Sequence, residues 1–204
     1  MDSLTPLVRA IFRMLEARLE VVSRHSERVA SLAVMLAREL GMNENDQKMI
    51  YVAGLLHDLG KMAVPGRILF KPDKLTGEEW EEIKKHPVYS FEVLSYIPQL
   101  KDISLLMLYH HERYDGRGYP RGLKGEDIPL GARILAVADS YDAMTSHRVY
   151  RPAMSTRKAL EEIYRCAGTQ FDPRVVEVFF NLDVSGSKLE VPFRKRDREV
   201  LTTT

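Results

Sequence analysis

Apolar residues recur along most of this chain at intervals of three, four and seven, and nowhere alternate with polar ones over the length of a strand. That period is the helical one, so the pattern predicts an all-α fold, a single helical bundle. Leu4, Val8, Ile11, Leu15 and Val22 form one stripe of a first helix, interrupted by Arg18. The stripe has too few heptads for a coiled coil, so this helix is expected to pack on its own domain. Val29, Leu32, Leu36 and Leu40 line a second helix that Gly41 ends as a C-cap, and Asn43 and Asn45 open a third, which runs to about Leu59. Residues 63–76 read as a connecting loop. Thr76 and Glu79 then form a capping box that starts another helix. Further helices are expected over 88–96, 103–111, 130–144, 156–167 and 173–181. Residues 115–129, with four glycines and two prolines, make a loop long enough to be functional.

Composition narrows this picture without changing it. A chain of 204 residues with 45% hydrophobic and 29% charged side chains fits one soluble globular domain. The division expected is an N-terminal helix or linker over 1–20, the domain itself over 21–183, and a tail over 184–204. In that tail Arg194, Lys195 and Arg196 and a Thr-rich end read as frayed rather than as a partner-binding segment. A net charge of +1 argues against bulk capture of nucleic acid, yet leaves room for a small basic pocket holding a phosphorylated ligand. The single cysteine, Cys166, excludes an intramolecular disulfide and fits a reducing compartment, so a cytoplasmic location is expected. No apolar run approaches the roughly 20 residues that span a bilayer, and no membrane association is expected.

The histidines carry the chemistry. Of six, five lie where metal binding is a better reading than solvent exposure. His25 precedes Val29 by four residues and Leu32 by seven, so its ring shares the apolar face of the second helix; a single inward histidine is ordinarily a core residue, and its meaning depends on company. His57-Asp58 falls at the end of the third helix and His110-His111 at the end of another. Adjacent helical side chains diverge by about 100°, so each doublet can reach one ion only from an element end, or else serves two neighbouring ions. Asp139 sits in the run Ile134, Leu135, Ala136, Val137 and Ala138, where an ionised carboxylate needs either a metal or an arginine partner. Mixed imidazole and carboxylate donors suit zinc, iron or manganese better than calcium or magnesium. Two such ions would generate a hydroxide near neutral pH and clamp a phosphate for in-line attack, which points to hydrolysis of a phosphate ester.

These residues resemble a known family. His57, Asp58, Leu59, Gly60 and Lys61 match the signature of the HD-GYP branch of the HD metal-dependent phosphohydrolases. His110, His111 and Glu112 followed by Asp115, Gly116, Arg117, Gly118, Tyr119 and Pro120 match its defining stretch. Ala138, Asp139, Asp142, Ala143 and Met144, and Gln170, Phe171, Asp172 and Pro173, match its later segments. The likeness covers roughly residues 20–182. It implies an HD-type helical domain whose Gly-rich loop lies near the site, and a phosphodiesterase opening cyclic di-GMP to the linear dinucleotide, with the further step to GMP left open. It also implies two divalent transition-metal ions, iron or manganese first and zinc after them. Their ligands would be His57, Asp58, His86, His110, His111 and Asp139, with Asp58 bridging and His25 at the edge. Some relatives hold a third ion through a glutamate where this chain has Val21, with Glu20 pointing away, so two ions are expected here.

By the same resemblance Asp58 and Lys61 are the catalytic pair, and Lys61, Tyr119, Arg148 and Arg151 contact substrate. Tyr119 either lies against a purine or braces the loop. His147 has no matching role and reads as a surface residue. A sensor or diguanylate-cyclase protein docking through the Gly-rich loop, and a homodimer, are partners that the resemblance leaves open. Few residues precede His25, so input is expected from those residues, from a partner or from a longer parent protein. The competing readings are a non-catalytic module that binds a cyclic dinucleotide or a partner protein, and a hydrolase of another phosphorylated nucleotide.

Overall fold

The computed structural model describes residues 5–146 and 153–182. Ten α-helices run in the order α1 Thr5–Arg18, α2 Glu20–Glu39, α3 Glu44–Leu56, α4 Gly66–Leu69, α5 Gly77–Ile83, α6 His86–Leu94, α7 Lys101–Leu108, α8 Leu130–Thr145, α9 Thr156–Arg165 and α10 Pro173–Asn181. Three 3-10 turns, Leu59–Ala63, Pro98–Leu100 and Gly125–Asp127, join them. The only strand-like pairing among the described residues is one bridge between Ala167 and Phe171, so the all-α expectation is met. No described helix is long and apolar enough to cross a membrane.

Local chemistry sets the helix ends. Asn43 accepts from the Asp46 amide and starts α3, the Thr76–Glu79 capping box starts α5, and Asp172 accepts from the Arg174 amide to start α10. Gly41, at a φ of 74°, ends α2 in the left-handed region that a side chain would disfavour. Several expected boundaries shift. The first helix stops at Arg18, Leu19 breaks it, and Val22 belongs to α2 rather than to the first stripe. α3 ends at Leu56 and α7 at Leu108, both short of the expected ends, while 63–76 contains the one-turn helix α4. α6 begins at His86, two residues earlier than periodicity alone suggests, because a proline in the first turn needs no hydrogen-bond acceptor.

α2 lies at the centre, packed on α3 and α8, with α7 against α3 and α6. Val29, Leu36, Ile50, Leu56, Met107, Ile134, Leu135 and Phe179 are wholly buried there, each worth about 1.5–3 kcal/mol relative to exposure. Val8 and Leu15 of α1 are buried too, so this helix does pack on the helices that follow it. α6 comes very close to the first 3-10 turn. A Cβ at Gly60 would stand 1.9 Å from the His86 carbonyl oxygen, and only glycine permits that approach. The Gly60 amide donates to Ser90 Oγ at 2.8 Å and fastens the contact.

Candidate metal centre

Both doublets lie at element ends. His57 is the C-cap of α3 and Asp58 the first residue beyond it, opening the 3-10 turn. His110 and His111 follow the end of α7 by two and three residues. Because neither pair is held on a continuous helix, adjacent side chains need not diverge, and all four enter one interior. α6 brings His86, α2 brings His25 and α8 brings Asp139 to the same place.

Four of the ring pairs pack edge to face, and His110 and His111 are tilted at 40°. Centroids are 5.4 Å apart for His25 and His57, 5.2 Å for His57 and His110, 5.4 Å for His86 and His110, 5.1 Å for His86 and His111, and 3.9 Å for His110 and His111. Three overlapping groups keep their ligand atoms within 4.8 Å of one another: His86 with His110 and His111; His25 with His57 and Asp58; His57 with His110 and Asp139. All seven expected ligands fall in these groups.

Hydrogen bonding decides which nitrogen each ring offers. Nδ1 of His57, His86 and His110 lies 2.8, 2.8 and 2.6 Å from the carbonyl oxygens of Gly54, Ile83 and Met107. A carbonyl only accepts, so each Nδ1 carries the proton and each Nε2 presents a bare lone pair. Those three Nε2 atoms are buried without a hydrogen-bond partner among the described residues. Orphaned buried acceptors are uncommon. Those of His57 and His86 face Asp58 and that of His110 groups with Asp139, an imidazole and carboxylate donor set that could hold metal ions.

Asp58 is buried, with Oδ1 3.4 Å from His86 Nε2 and Oδ2 3.5 Å from His57 Nε2, so its carboxylate lies between two histidines. Burial disfavours its charge. The neighbouring Lys61 ammonium and the imidazoles of His57, His86 and His25 nevertheless hold it well below the usual carboxylate range. Lys61 Nζ donates to Asp58 Oδ2 at 2.7 Å. Among the described residues Asp139 pairs with no arginine; its Oδ1 lies 3.0 Å from His25 Nε2, and burial, opposed more strongly by His25 and His57, leaves its pKa depressed.

Burial lowers His86 to about 3 and His111 to about 4, and holds His110 well below its ordinary value, so these rings are neutral near pH 7. His25 differs. Burial pulls it down, but hydrogen bonds to Asp139 and Asp142 outweigh burial and raise it to about 9.

From the sequence Asp142 was only part of a matching motif, with no role given to it, and Arg28 was not singled out. Asp142 Oδ2 lies 2.6 Å from His25 Nδ1, and Arg28 donates to the same carboxylate from Nε at 2.5 Å and Nη2 at 2.9 Å. Asp142 thus orients the His25 ring and aims its Nε2 inward, the role carboxylates play behind metal-binding imidazoles. The spacing of Asp139 and Asp142, one helical turn apart, was the available signal; nothing linear ties Arg28 to either.

Tyr119 reaches the centre from the Gly-rich loop. Its ring stands 4.9 Å from that of His111, and Lys84 Nζ lies 5.7 Å from its centroid. Arg148, Arg151 and His147 lie outside the described residues, as do the side chains of Glu20 and Val21 on which the expected ion count rests.

Residues 9–175 match the HD domain family, and the chain belongs to it. Its His-Asp, His-His-Glu and Gly-Tyr-Pro residues put it in the HD-GYP branch. It is 44% identical over 178 residues to the "Cyclic di-GMP phosphodiesterase response regulator RpfG" of Xanthomonas campestris pv. campestris, covering 86% of this chain and 46% of that protein. It is 38% identical over 167 residues to the "3'3'-cGAMP-specific phosphodiesterase 3" of Vibrio cholerae, covering 82% of this chain and 36% of that one. The chain thus spans less than half the length of either relative. A solved HD-GYP-like structure from Bdellovibrio bacteriovorus shares the fold at a TM-score of 0.63 and 20% identity, over 78% of this chain and 51% of that chain.

Proposed function

We propose that this chain is a metal-dependent phosphodiesterase that hydrolyses cyclic di-GMP to the linear dinucleotide, with a second cleavage to GMP left open. One observation carries the reading: three buried imidazoles have their Nδ1 atoms committed to backbone carbonyls, and their free Nε2 atoms face carboxylates, His57 and His86 at Asp58 and His110 in a group with Asp139. The ligands proposed are His25, His57, Asp58, His86, His110, His111 and Asp139, for two divalent ions, iron or manganese. Bound ions would supply Lewis acidity toward a phosphoryl oxygen and a nucleophile near neutral pH.

The chain's own groups do the rest. Asp58 would help to hold both ions, Asp139 and His25 would close one side, and Lys61, already paired with Asp58, would offset charge that develops on the phosphoryl group. Arg148 and Arg151 are proposed to hold phosphate or base, as guanidinium groups suit both. The relatives named for cyclic di-GMP and for 3'3'-cGAMP support a cyclic dinucleotide as the substrate class, and the higher identity favours cyclic di-GMP. Docking of a partner protein through the Gly-rich loop is a further part of this proposal.

The test is hydrolysis of cyclic di-GMP by protein reconstituted anaerobically with ferrous iron or manganese, with 3'3'-cGAMP alongside and Asp58→Ala as control. Turnover of cyclic di-GMP that disappears in the variant is expected. Tight binding without turnover under every metal would replace this reading by that of a non-catalytic binding module, and preference for 3'3'-cGAMP would reassign the substrate.

A further inference from the structure

Glu112 follows the His110-His111 doublet, yet it joins none of the groups whose ligand atoms converge. Its carboxylate is buried and turned the other way, into the Gly-rich loop. Oε1 accepts from the Arg121 amide at 2.7 Å and from the Gly122 amide at 3.0 Å, while Oε2 is buried with no hydrogen-bond partner among the described residues. A carboxylate accepting two backbone amides is a strong, charge-assisted clasp. It closes the chain on itself: the loop leaves at Arg113, turns through Tyr119 and Pro120, and is caught again at Arg121 and Gly122.

Three other contacts fix the same loop. The Tyr119 amide donates to the His111 carbonyl at 3.3 Å. Gly118 lies flat on the backbone of Glu112 and Arg113, where a Cβ would stand 2.3 Å from Arg113 N and 2.5 Å from Glu112 Cα. At its far side the loop is tied to the turn before α10, with the Tyr114 and Asp115 amides donating to the Gln170 and Thr169 carbonyls at 3.2 and 2.8 Å. The result is a wall and not a lid: Tyr119 is held with its ring 4.9 Å from His111, beside Lys84.

We propose that Glu112 is a positioning residue that clasps the Gly-rich loop onto the His111 side of the metal centre, and so sets Tyr119 as a fixed wall that selects cyclic dinucleotides over smaller phosphodiesters. This rests on the phosphodiesterase reading. A small diester reaches the ions without touching that wall, whereas a dinucleotide must fit against it, so the clasp governs binding of the large substrate and not the chemical step.

The experiment compares wild type, Glu112→Ala and Glu112→Gln, each loaded with manganese, on cyclic di-GMP and on bis(p-nitrophenyl) phosphate. Amide hydrogen exchange over 113–122 is followed in the same proteins. Glu112→Ala is expected to raise KM for cyclic di-GMP about tenfold with kcat little changed, to leave the small diester unaffected, and to lose protection at Arg121 and Gly122. Glu112→Gln keeps an acceptor oxygen and should restore both. Equal loss on the two substrates with loss of manganese would overturn the inference, as would unchanged exchange at Arg121 and Gly122, or a Glu112→Gln protein that behaves as Glu112→Ala. Wild-type protein that cleaves the small diester but no cyclic dinucleotide would sink the functional reading and the selectivity role with it, while the exchange data would still decide the clasp.

Discussion

Lys61 reaches back three residues to donate from Nζ to Asp58 Oδ2 at 2.7 Å, placing a cation beside the carboxylate that lies between His57 and His86. The pair exists because the chain leaves α3 at Leu56 and tightens into a 3-10 turn, whose threefold repeat puts residues three apart on one edge.

Removing that cation separates charge stabilisation from metal retention. Lys61→Met is expected to lower kcat about a hundredfold while the ions stay bound, since Lys61 Nζ acts as a donor to Asp58 and not as a ligand atom. Metal content and turnover measured on one preparation decide it, and loss of metal alongside activity would assign Lys61 to holding the centre instead.

Behind His25, the Asp142 carboxylate determines where that ring points. Asp142→Ala should weaken metal binding about 10–100-fold and leave Arg28 without its partner. Titration of the metal-free protein with manganese gives the affinity; wild-type binding by the variant would show that the ring keeps its orientation without help.

The approach of α6 to the first 3-10 turn has no room for a methyl group. Gly60→Ala is therefore expected to destabilise the fold by about 2 kcal/mol or more and to displace His86. Denaturant unfolding reads the first effect, and an unchanged midpoint would mean that the contact is looser than the geometry here.

Protonation of the metal-free protein gives a prediction with two signs. His86 and His111 fall to about 3 and about 4 when folded, so below an unfolded value of about 6.5 the unfolded chain binds more protons and stability drops as pH falls. His25 rises to about 9 when folded, so its contribution is complete below about 6.5 and is lost as pH climbs toward 9. The melting temperature of chelator-treated protein should peak near neutrality, and His25→Gln should flatten the alkaline side alone. A variant with the same alkaline slope as wild type would discredit the His25 assignment.

Much of this was legible in the linear pattern. Periodicity gave the helices, the capping box at Thr76 and the start of α10 at Pro173, because caps and amphipathic faces are local properties. The histidines and aspartates were legible as a set, since few roles other than metal binding suit so many in apolar surroundings. Helix ends were harder. α3 and α7 stop two or three residues before the apolar pattern does, because the last residues of that pattern turn inward to the centre instead of continuing the helix.

By itself, then, the sequence determined the fold class and the donor chemistry, for both follow from residue types at short spacings. Tertiary structure alone decided which imidazole nitrogen faces the centre, since that depends on carbonyls at Gly54, Ile83 and Met107 exposed where helices end. It also decided that Asp139 pairs with His25, that Asp142 and Arg28 stand behind His25, and that Glu112 grips a loop. Each of these joins groups carried by different elements, or turned by a loop that doubles back, and no period along the chain records such an encounter.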